Sequence, residues 1–392
     1  MKFAVLNPDA DALALTKSLV ADGGHELIAY FSNDPLAVAT FKEITPDARR
    51  IDEWEGVLAG SVQAVVVGTV GPAEPRFEQL RRLVLESVPF VFTHPFGLAP
   101  LEYHELDMNR QATASAIVPY EPERHHPAVA MLAAFGGDEG IGRIEQITIE
   151  RQTRSRSRVA SLTHFVRDLG LARRIAGTCD KVSALGKFGD EPIDAATGTR
   201  SDGGHLGVQI TTTDGILIRW SIGPVVERNG AKLTLVGAAG SAVLTIPESG
   251  AWELAVRRGD VAEQESFGAD DAVKNGAAAV AAAIATTDDA LWREALADLE
   301  LVEAVERSMR KGRTVELFHE EASEEGTFHG VMAAGGCLLM MLAIGLAITA
   351  TVFGRFRFQI ANLWPYALLI LLGAFLIMQF LKLVFPPEKQ DD

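Results

Sequence analysis

Apolar and polar positions alternate in blocks along the first third of this chain and predict strands and helices in turn. A short apolar run at Lys2 to Leu6 precedes helical periodicity over Asp11 to Ala21 and a second apolar run at His25 to Phe31. This order is typical of a β-α-β unit. The alternation continues with strands predicted at Val62 to Val70, Pro89 to Thr93 and Ala116 to Pro119, and helices at Pro75 to Ser87 and Leu101 to Ser115. We therefore expect an α/β fold over residues 1–120, with a doubly wound parallel sheet.

A different pattern begins after Pro127. Helices are predicted over Ala128 to Phe135 and Thr163 to Ala176, with an alternating strand at Ile144 to Arg151. More strands follow at Lys181 to Leu185, His205 to Thr212, Ile216 to Ile222, Ala231 to Val236 and Ala242 to Ile246. The turn pairs Asp214-Gly215, Asn229-Gly230 and Gly240-Ser241 are typical of antiparallel hairpins. The pattern predicts a C-terminal α/β domain over 121–318 with an open, largely antiparallel sheet, closed by helices at Ala272 to Thr286 and Asp288 to Lys311.

Two long apolar runs follow near the C-terminus. Gly330 to Gly354 contains no charged side chain over 25 residues, and Ile360 to Phe385 contains only Lys382, near its far end. As a helix, each run can cross a hydrocarbon core of ~30 Å. Buried core helices are the alternative, but two adjacent runs of this length exceed what a globular core usually needs. The sequence predicts transmembrane helices at 330–354 and 360–385, after an acidic linker at 319–329, so the lipid bilayer is an expected partner.

The distribution of charge bears on partners and location. Residues 1–329, the predicted head, carry 32 basic and 49 acidic side chains. Such an acidic surface argues against nucleic acid, which needs basic groups to displace counterions. The N-terminus lacks the pattern of a secretory signal peptide, so we expect a cytoplasmic head on an integral membrane protein. Arg355 and Arg357 in the hairpin loop argue for the opposite orientation by the positive-inside rule.

Four stretches together resemble the Gfo/Idh/MocA oxidoreductases. They are PFVFTHPFGLAPL from Pro89, YEPERHHPAVAML from Tyr120, KLTLVGAAGSAVL from Lys232 and ALADLELVEAVERSMRKGRTVEL from Ala295. The resemblance covers roughly residues 1–317 and implies a Rossmann-like N-terminal domain of the dinucleotide-binding type, followed by an α/β domain with an open sheet. It also implies NAD(P) as cofactor, a sugar-like substrate and dimerisation through the open sheet.

The expected cofactor site departs from the pattern of this family. A dinucleotide site wants glycines at the first strand-helix turn, so that phosphates approach backbone N–H groups. Here the turn from Asn7 to Ala12 has no glycine and contains two carboxylates, Asp9 and Asp11. Ser32 stands where an acidic residue would hold the ribose, with Asp34 just beyond it. The candidate cofactor-binding residues are Asn7, Asp9, Ala10, Ser32, Asp34, Thr69, His94 and Pro95.

The candidate catalytic residues depart from the family as well. Thr93-His94-Pro95 stands where the family has Glu-Lys-Pro, and His94 could act as an acid or base. In one alignment the family's catalytic His and Asp fall on Arg167 and Gly170. A shifted alignment makes His164 and Asp168 the candidates, one helical turn apart.

Metal is not expected from the sequence. The two cysteines, Cys179 and Cys337, lie in the head and in an apolar run, so neither a thiolate site nor a disulfide framework can form. The adjacent His125 and His126 rarely point at one ion. The basic run from Arg151 to Arg158 could contact a phosphate or an acidic partner, or be an exposed loop.

Three functions follow from these departures. The first is a membrane-anchored pseudoenzyme with degenerate cofactor and catalytic motifs, acting in binding, scaffolding or regulation. The alternative is an active NAD(P)-dependent oxidoreductase that uses His94 and His164. The third is a membrane assembly component in which the head dimerises and the hairpin recruits partners.

Overall fold

The computed structural model describes residues 1–317 apart from 59, 61, 98, 137–139, 191, 195–198, 201–202 and 227–228. Met1–Leu317 forms one compact unit. Within these residues, none of the helices combines the length and low polarity that crossing a bilayer requires. The linker predicted at 319–329 and the helices predicted at 330–354 and 360–385 lie outside the described residues.

The N-terminal region is built on a six-stranded parallel sheet. Its strands are β1 Lys2–Leu6, β2 Glu26–Phe31, β3 Arg49–Arg50, β4 Ala64–Val67, β5 Phe90–Thr93 and β6 Ile117–Tyr120. Its helices are α1 Ala10–Ala21, α2 Pro35–Ile44, α3 Ala73–Leu85 and α4 Pro100–Thr113, with 3₁₀ turns at Trp54–Val57 and Pro122–His125. The strand order is β3-β2-β1-β4-β5-β6, and all pairs are parallel. The predicted doubly wound sheet is confirmed.

The burial of these strands explains why the sequence predicts them correctly. Helices cover both faces of a parallel sheet, so its strands become nearly continuous apolar runs. Phe3 to Leu6 are fully buried, and β4 and β5 are buried along their whole length. Parallel strands also bring their carboxyl ends to one edge, where ligands bind in folds of this type.

The second region contains a nine-stranded mixed sheet. Its strands are β7 Ile144–Gln152, β8 Cys179–Lys187, β11 His205–Thr212, β12 Leu217–Gly223, β13 Gly230–Gly237, β14 Gly240–Pro247, β15 Trp252–Arg258, β16 Val261–Phe267 and β17 Val315–Glu316. A separate hairpin pairs β9 Pro192–Asp194 with β10 Thr199–Arg200. The helices are α5 Pro127–Ala134, α6 Arg158–Ala176, α7 Asp271–Thr286 and α8 Ala290–Lys311. The sheet order is β16-β15-β14-β13-β7-β12-β11-β8-β17.

This sheet agrees with the predicted open, largely antiparallel sheet. β7 and β12 pair in parallel, and the other neighbours pair antiparallel. The sequence did not predict the hairpin of β15 and β16. The side chains of β16 are exposed over Val261 to Ser266, so the strand lacks the alternating apolar positions by which strands are recognised.

Helix α8 contributes to the cores of both regions. Near its start, Trp292 is fully buried in the core of the parallel sheet and stacks on Tyr103. Further along, Leu301, Ala304 and Val305 lie in the core of the nine-stranded sheet. The two sheets are therefore joined by a shared helix as well as by the chain between them.

Candidate functional site

The side chain of Asp9 occupies the N-terminus of α1, at the carboxyl edge of the parallel sheet. Its Oδ1 accepts a hydrogen bond from the Ala12 N–H (2.9 Å) and one from the Thr93 hydroxyl (3.1 Å). Its Oδ2 accepts from the Thr69 N–H (2.8 Å) and the Thr69 hydroxyl (2.7 Å). These contacts join the turn after β1 to the loop after β4 and to the last residue of β5. An internal carboxylate thus takes the helix terminus where an anionic ligand would bind.

The backbone around Asp9 is closely packed. Asn7 adopts a left-handed conformation with φ of 44°, which is uncommon outside glycine. Gly68, at the end of β4, lies directly against this turn, and a Cβ there would come within 2.4 Å of the Asn7 carbonyl oxygen and 2.5 Å of the Asp9 nitrogen. The glycine that permits close approach therefore lies on the neighbouring strand rather than in the turn.

Two further candidates lie at the end of β2. The Asp34 carboxylate caps α2 by accepting from the Leu36 N–H at 3.0 Å, and the Ser32 hydroxyl accepts from the Asp34 N–H at 3.1 Å. Ser32 is buried, and its carbonyl accepts from Arg50. Ser32 and Asp34, the residues that would face a ribose, therefore stabilise the loop after β2.

The candidate Ala10 is the first residue of α1.

Arg167 links α6 to the carboxyl edge of the parallel sheet. Its guanidinium donates to Asp11 Oδ2 at 2.6 Å, to Glu123 Oε1 at 3.3 Å and to the His94 carbonyl at 3.3 Å. Burial lowers the pKa of Arg167, but the carboxylates of Glu123 and Asp11 outweigh it, and the net pKa is raised. Burial also raises the pKa of Asp11, even though the Arg167 charge opposes it. This position, aligned with the family's catalytic histidine, holds a structural cation.

His94 is fully buried at the end of β5, next to Pro95. Its Nδ1 lies 3.4 Å from the Tyr103 hydroxyl, and its Nε2 lies 3.6 Å from Glu121 Oε1. Burial, together with the charges of Arg124 and Arg167, lowers the pKa of His94 to about 3. The imidazole is therefore neutral at physiological pH.

The other two catalytic candidates lie on α6. The Asp168 carboxylate is fully buried and accepts from Arg151 Nε (3.0 Å) and Trp220 Nε1 (2.9 Å), besides forming a second bond to Arg151. These contacts tie α6 to the nine-stranded sheet. His164 is partly buried, and burial followed by the Arg151 charge lowers its pKa. Asp168 thus holds α6 to the nine-stranded sheet, and its catalytic role remains a prediction.

One cluster was not expected from the sequence. His94, Glu121 and Asp298 are fully buried, and each offers a ligand atom within 4.8 Å of the others. His94 follows β5, Glu121 follows β6 and Asp298 lies in α8, so no local motif could have indicated the cluster. Burial raises the pKa of Glu121 to about 8.

Two cavities lined by described residues lie elsewhere. One, of about 610 Å³, lies between α1 and α7 and is lined by Lys17, Asp22 and Lys274. The other, of about 630 Å³, lies on the nine-stranded sheet beside Glu150 and Lys232.

Comparison with known proteins shows the fold. No family model and no curated protein matches the sequence. Among solved structures, a myo-inositol dehydrogenase from Corynebacterium glutamicum matches with a TM-score of 0.64 and 18% identity, covering 81% of this chain and 99% of that one. The NADP complex of KijD10, a 3-ketoreductase from Actinomadura kijaniata, matches with a TM-score of 0.65 and 18% identity, covering 79% and 98%. The chain has the Gfo/Idh/MocA oxidoreductase fold.

The fold implies NAD(P) as the cofactor. A further match, GenD2 from gentamicin A biosynthesis in complex with NAD, has a TM-score of 0.62 and 18% identity and covers 81% of this chain and 96% of that one. At 18% identity, these three matches show the shared fold.

The residues at the α1 N-terminus, however, do not fit a pyrophosphate. The Asp9 carboxylate already accepts from Ala12 N–H and Thr69 N–H. A like charge at ~4 Å costs about 4 kcal/mol at an effective dielectric of about 20. The fold is one that binds NAD(P), whereas the Asp9 carboxylate at the α1 N-terminus opposes the binding of a pyrophosphate there.

Proposed function

We propose that residues 1–317 form a binding or scaffolding module that keeps the oxidoreductase fold and has replaced its dinucleotide site with internal contacts. The observation that supports this is the Asp9 carboxylate at the α1 N-terminus, which accepts hydrogen bonds from the first turn of α1, the loop after β4 and the end of β5. Arg167 completes the replacement by binding Asp11 and Glu123 between α6 and the sheet edge. A dinucleotide would have to displace both the Asp9 carboxylate and the Arg167 guanidinium.

Fluorescence titration of the purified full-length protein with NADH and NADPH tests this proposal. We expect no saturable enhancement of nicotinamide fluorescence at cofactor concentrations up to about 1 mM, where the free energy of binding would be about −4 kcal/mol. Saturable binding with a Kd of about 1 μM, or about −8 kcal/mol, would refute the proposal.

A second candidate function is an NAD(P)-dependent oxidoreductase acting on a sugar-like substrate. The matching structures support it, because they are oxidoreductases of the same fold. In this case His94 is the candidate for moving the hydroxyl proton, with His164 and Asp168 on α6, although burial makes its imidazole a weak base. Reduction of NAD⁺ or NADP⁺ followed by absorbance with a panel of polyols tests it. Turnover that is lost in both His94→Gln and His164→Gln, with the fold intact, would establish it over the first candidate.

We also propose that residues 330–385 anchor the protein in a lipid bilayer with its head in the cytoplasm. The support is the sequence alone: the run at 330–354 contains no charged residue, and the run at 360–385 contains only Lys382. Carbonate extraction of membranes tests the anchor, and recovery in the soluble fraction would rule it out. Protease treatment of intact cells and of inverted vesicles tests the orientation, and digestion of the head in intact cells would reverse it.

Self-association through the open sheet is the remaining proposal. It is supported by the exposed face of the nine-stranded sheet, where a cavity of about 630 Å³ lies among Glu150, Lys232 and Thr245. Light scattering of the detergent-solubilised protein should give the mass of two chains. Lys232→Glu should shift it toward one, and a single chain for the wild type contradicts the proposal.

A further inference from the structure

A buried cluster of one imidazole and two carboxylates lies where β5, β6 and α8 meet. His94, Glu121 and Asp298 are each at most 2% exposed, and their ligand atoms lie within 4.8 Å of one another. We propose that these three side chains bind a divalent first-row transition-metal ion, for which Zn²⁺ is the probe. The proposal is independent of whether the protein binds NAD(P).

The unpaired atoms of the cluster carry the inference. His94 Nε2, Glu121 Oε1 and Asp298 Oδ2 are all buried without a hydrogen-bond partner. Buried polar atoms are almost always paired, and an unpaired one costs about 1–3 kcal/mol. Three such atoms, one from each residue of a single cluster, are accounted for together by one ion bound between them.

The separation of His94 Nε2 from Glu121 Oε1 suits two ligands of a small metal ion. Ligand atoms at ~2.0–2.2 Å from a tetrahedral Zn²⁺ ion lie roughly 3.3–3.6 Å from one another. His94 Nε2 and Glu121 Oε1 are 3.6 Å apart. That separation is too long for a direct hydrogen bond and matches two ligands of one ion. The mixture of one imidazole with two carboxylates suits zinc and its neighbours better than Mg²⁺ or Ca²⁺, which prefer oxygen alone.

The surrounding groups orient the imidazole for binding through Nε2. The Tyr103 hydroxyl accepts a hydrogen bond from the Phe96 N–H at 3.1 Å and lies 3.4 Å from His94 Nδ1. With its proton on Nδ1, the imidazole donates to the Tyr103 oxygen and leaves the Nε2 lone pair for the ion. A second contact of this kind commonly fixes the tautomer of metal-bound histidine.

The local charge leaves room for a cation. Three carboxyl groups, those of Glu121, Asp298 and Glu294, lie against only two guanidiniums, those of Arg124 and Arg173. Neither arginine bonds to one of the three unpaired atoms: Arg173 binds the other oxygen of Asp298, and Arg124 Nη1 lies 3.8 Å from Glu121 Oε1. A divalent ion would accept a lone pair from each of the three atoms.

Metal analysis of the full-length protein in detergent tests the proposal. The protein is expressed with zinc, manganese, iron and cobalt supplied, desalted, and measured by mass spectrometry of the elements. We expect about one ion per chain, with at least about tenfold less in His94→Gln and Asp298→Asn. Glu123→Gln is the matched control, because Glu123 is a nearby carboxylate outside the cluster, and it should retain the metal. Circular dichroism confirms that each variant is folded.

A second measurement does not depend on any variant. The wild-type protein loaded with Co²⁺ should show the visible absorption of a four- or five-coordinate ion, and X-ray absorption of the zinc form should show one imidazole ligand. Removal of the metal with a chelator should lower the Tm, and Zn²⁺ should restore it. Metal below about one-tenth per chain with a Tm unaffected by Zn²⁺ overturns the proposal. Equal metal content in the wild type and both ligand variants also overturns it, since the ion then lies elsewhere.

Discussion

At the scale of single residues, charged side chains take the places that a ligand would need. Asp9 takes the N-terminus of α1, and Arg167 takes the position opposite it on α6. Each is satisfied by partners distant in sequence: Thr93 lies 84 positions from Asp9, and Asp11 lies 156 positions from Arg167. These contacts form only in the folded chain, so their loss should be measurable as stability.

Replacing Asp9 by alanine should destabilise the head more than removing an ordinary helix cap. Four hydrogen bonds to one carboxylate are lost, and each contributes about 0.5–1.5 kcal/mol, so we expect a loss of about 2–6 kcal/mol. Asp34→Ala removes a cap with one hydrogen bond and should cost about 0.5–1 kcal/mol. Urea unfolding of both variants measures the difference. Equal losses would show that the contacts to Thr69 and Thr93 contribute little.

His125 should make the head sensitive to acid. Burial, followed by the charges of Arg124 and Arg174, lowers its pKa to about 4, below the usual value of about 6.5 in an unfolded chain. The folded state therefore favours the neutral imidazole. Its contribution to stability is complete above pH 6.5 and is lost as the pH falls from about 6.5 to about 4.

The variant His125→Gln tests this contribution. It cannot titrate, so its free energy of unfolding should fall less than that of the wild type between pH 7 and pH 4, by about 3 kcal/mol. Denaturant unfolding at both pH values supplies the measurement, with the exposed His205→Gln as control. Parallel pH profiles for His125→Gln and the wild type would contradict the assignment.

At the scale of elements, α6 is held to the nine-stranded sheet by an ion pair inside the protein. Asp168 binds Arg151 of β7 and the indole of Trp220 on β12. The same helix carries the catalytic candidates His164 and Asp168. A structural role and a catalytic role for Asp168 predict different outcomes of one substitution.

Asp168→Asn should therefore lower stability whatever the activity of the protein. Loss of the charge leaves Arg151 buried without its counterion, at a cost of about 3–5 kcal/mol. Thermal unfolding followed by circular dichroism is the measurement. His164→Gln, on the same helix and partly exposed, should cost less than about 1 kcal/mol. An Asp168→Asn protein as stable as the wild type would make a purely structural role untenable.

The elements differ in how far the sequence predicts them. Lys2–Leu6 and Phe90–Thr93 were readable because burial on both faces demands continuous apolar residues. The strand at Val261–Phe267 was not, because its exposed side chains impose no pattern. The absence of glycine from the turn at Asn7 to Ala12 was visible, but the partners of Asp9 depend on tertiary contacts. The cluster of His94, Glu121 and Asp298 spans about half of the chain, so no spacing rule could reveal it.

At the scale of the whole molecule, the two sheets share a helix. Trp292 of α8 is buried in one core, and Leu301, Ala304 and Val305 of the same helix are buried in the other. The helix cannot leave one core without disturbing its packing in the second. The two domains that the sequence divides near residue 120 should therefore lose their structure together.

Calorimetry of a fragment comprising residues 1–317 should show one unfolding transition rather than two. The calorimetric and van't Hoff enthalpies should agree, as they do for a two-state unit. Trp292→Ala should lower the Tm of this single transition, with a loss of about 3–5 kcal/mol. Two resolved transitions, with only one affected by Trp292→Ala, would show that the sheets unfold independently.

The bonds of Arg167 also bear on hinge motion. In a protein of two lobes, a ligand usually enters while the lobes are apart and is enclosed when they close. Here a guanidinium on α6 holds Asp11, Glu123 and the His94 carbonyl at once. Separating α6 from the parallel sheet would break all three bonds and leave Arg167, Asp11 and Glu123 without their partners. Thermal motion alone would therefore rarely separate the two sheet regions. A molecule bound between the two sheet regions would need acidic groups that replace the carboxylates of Asp11 and Glu123 as partners of Arg167.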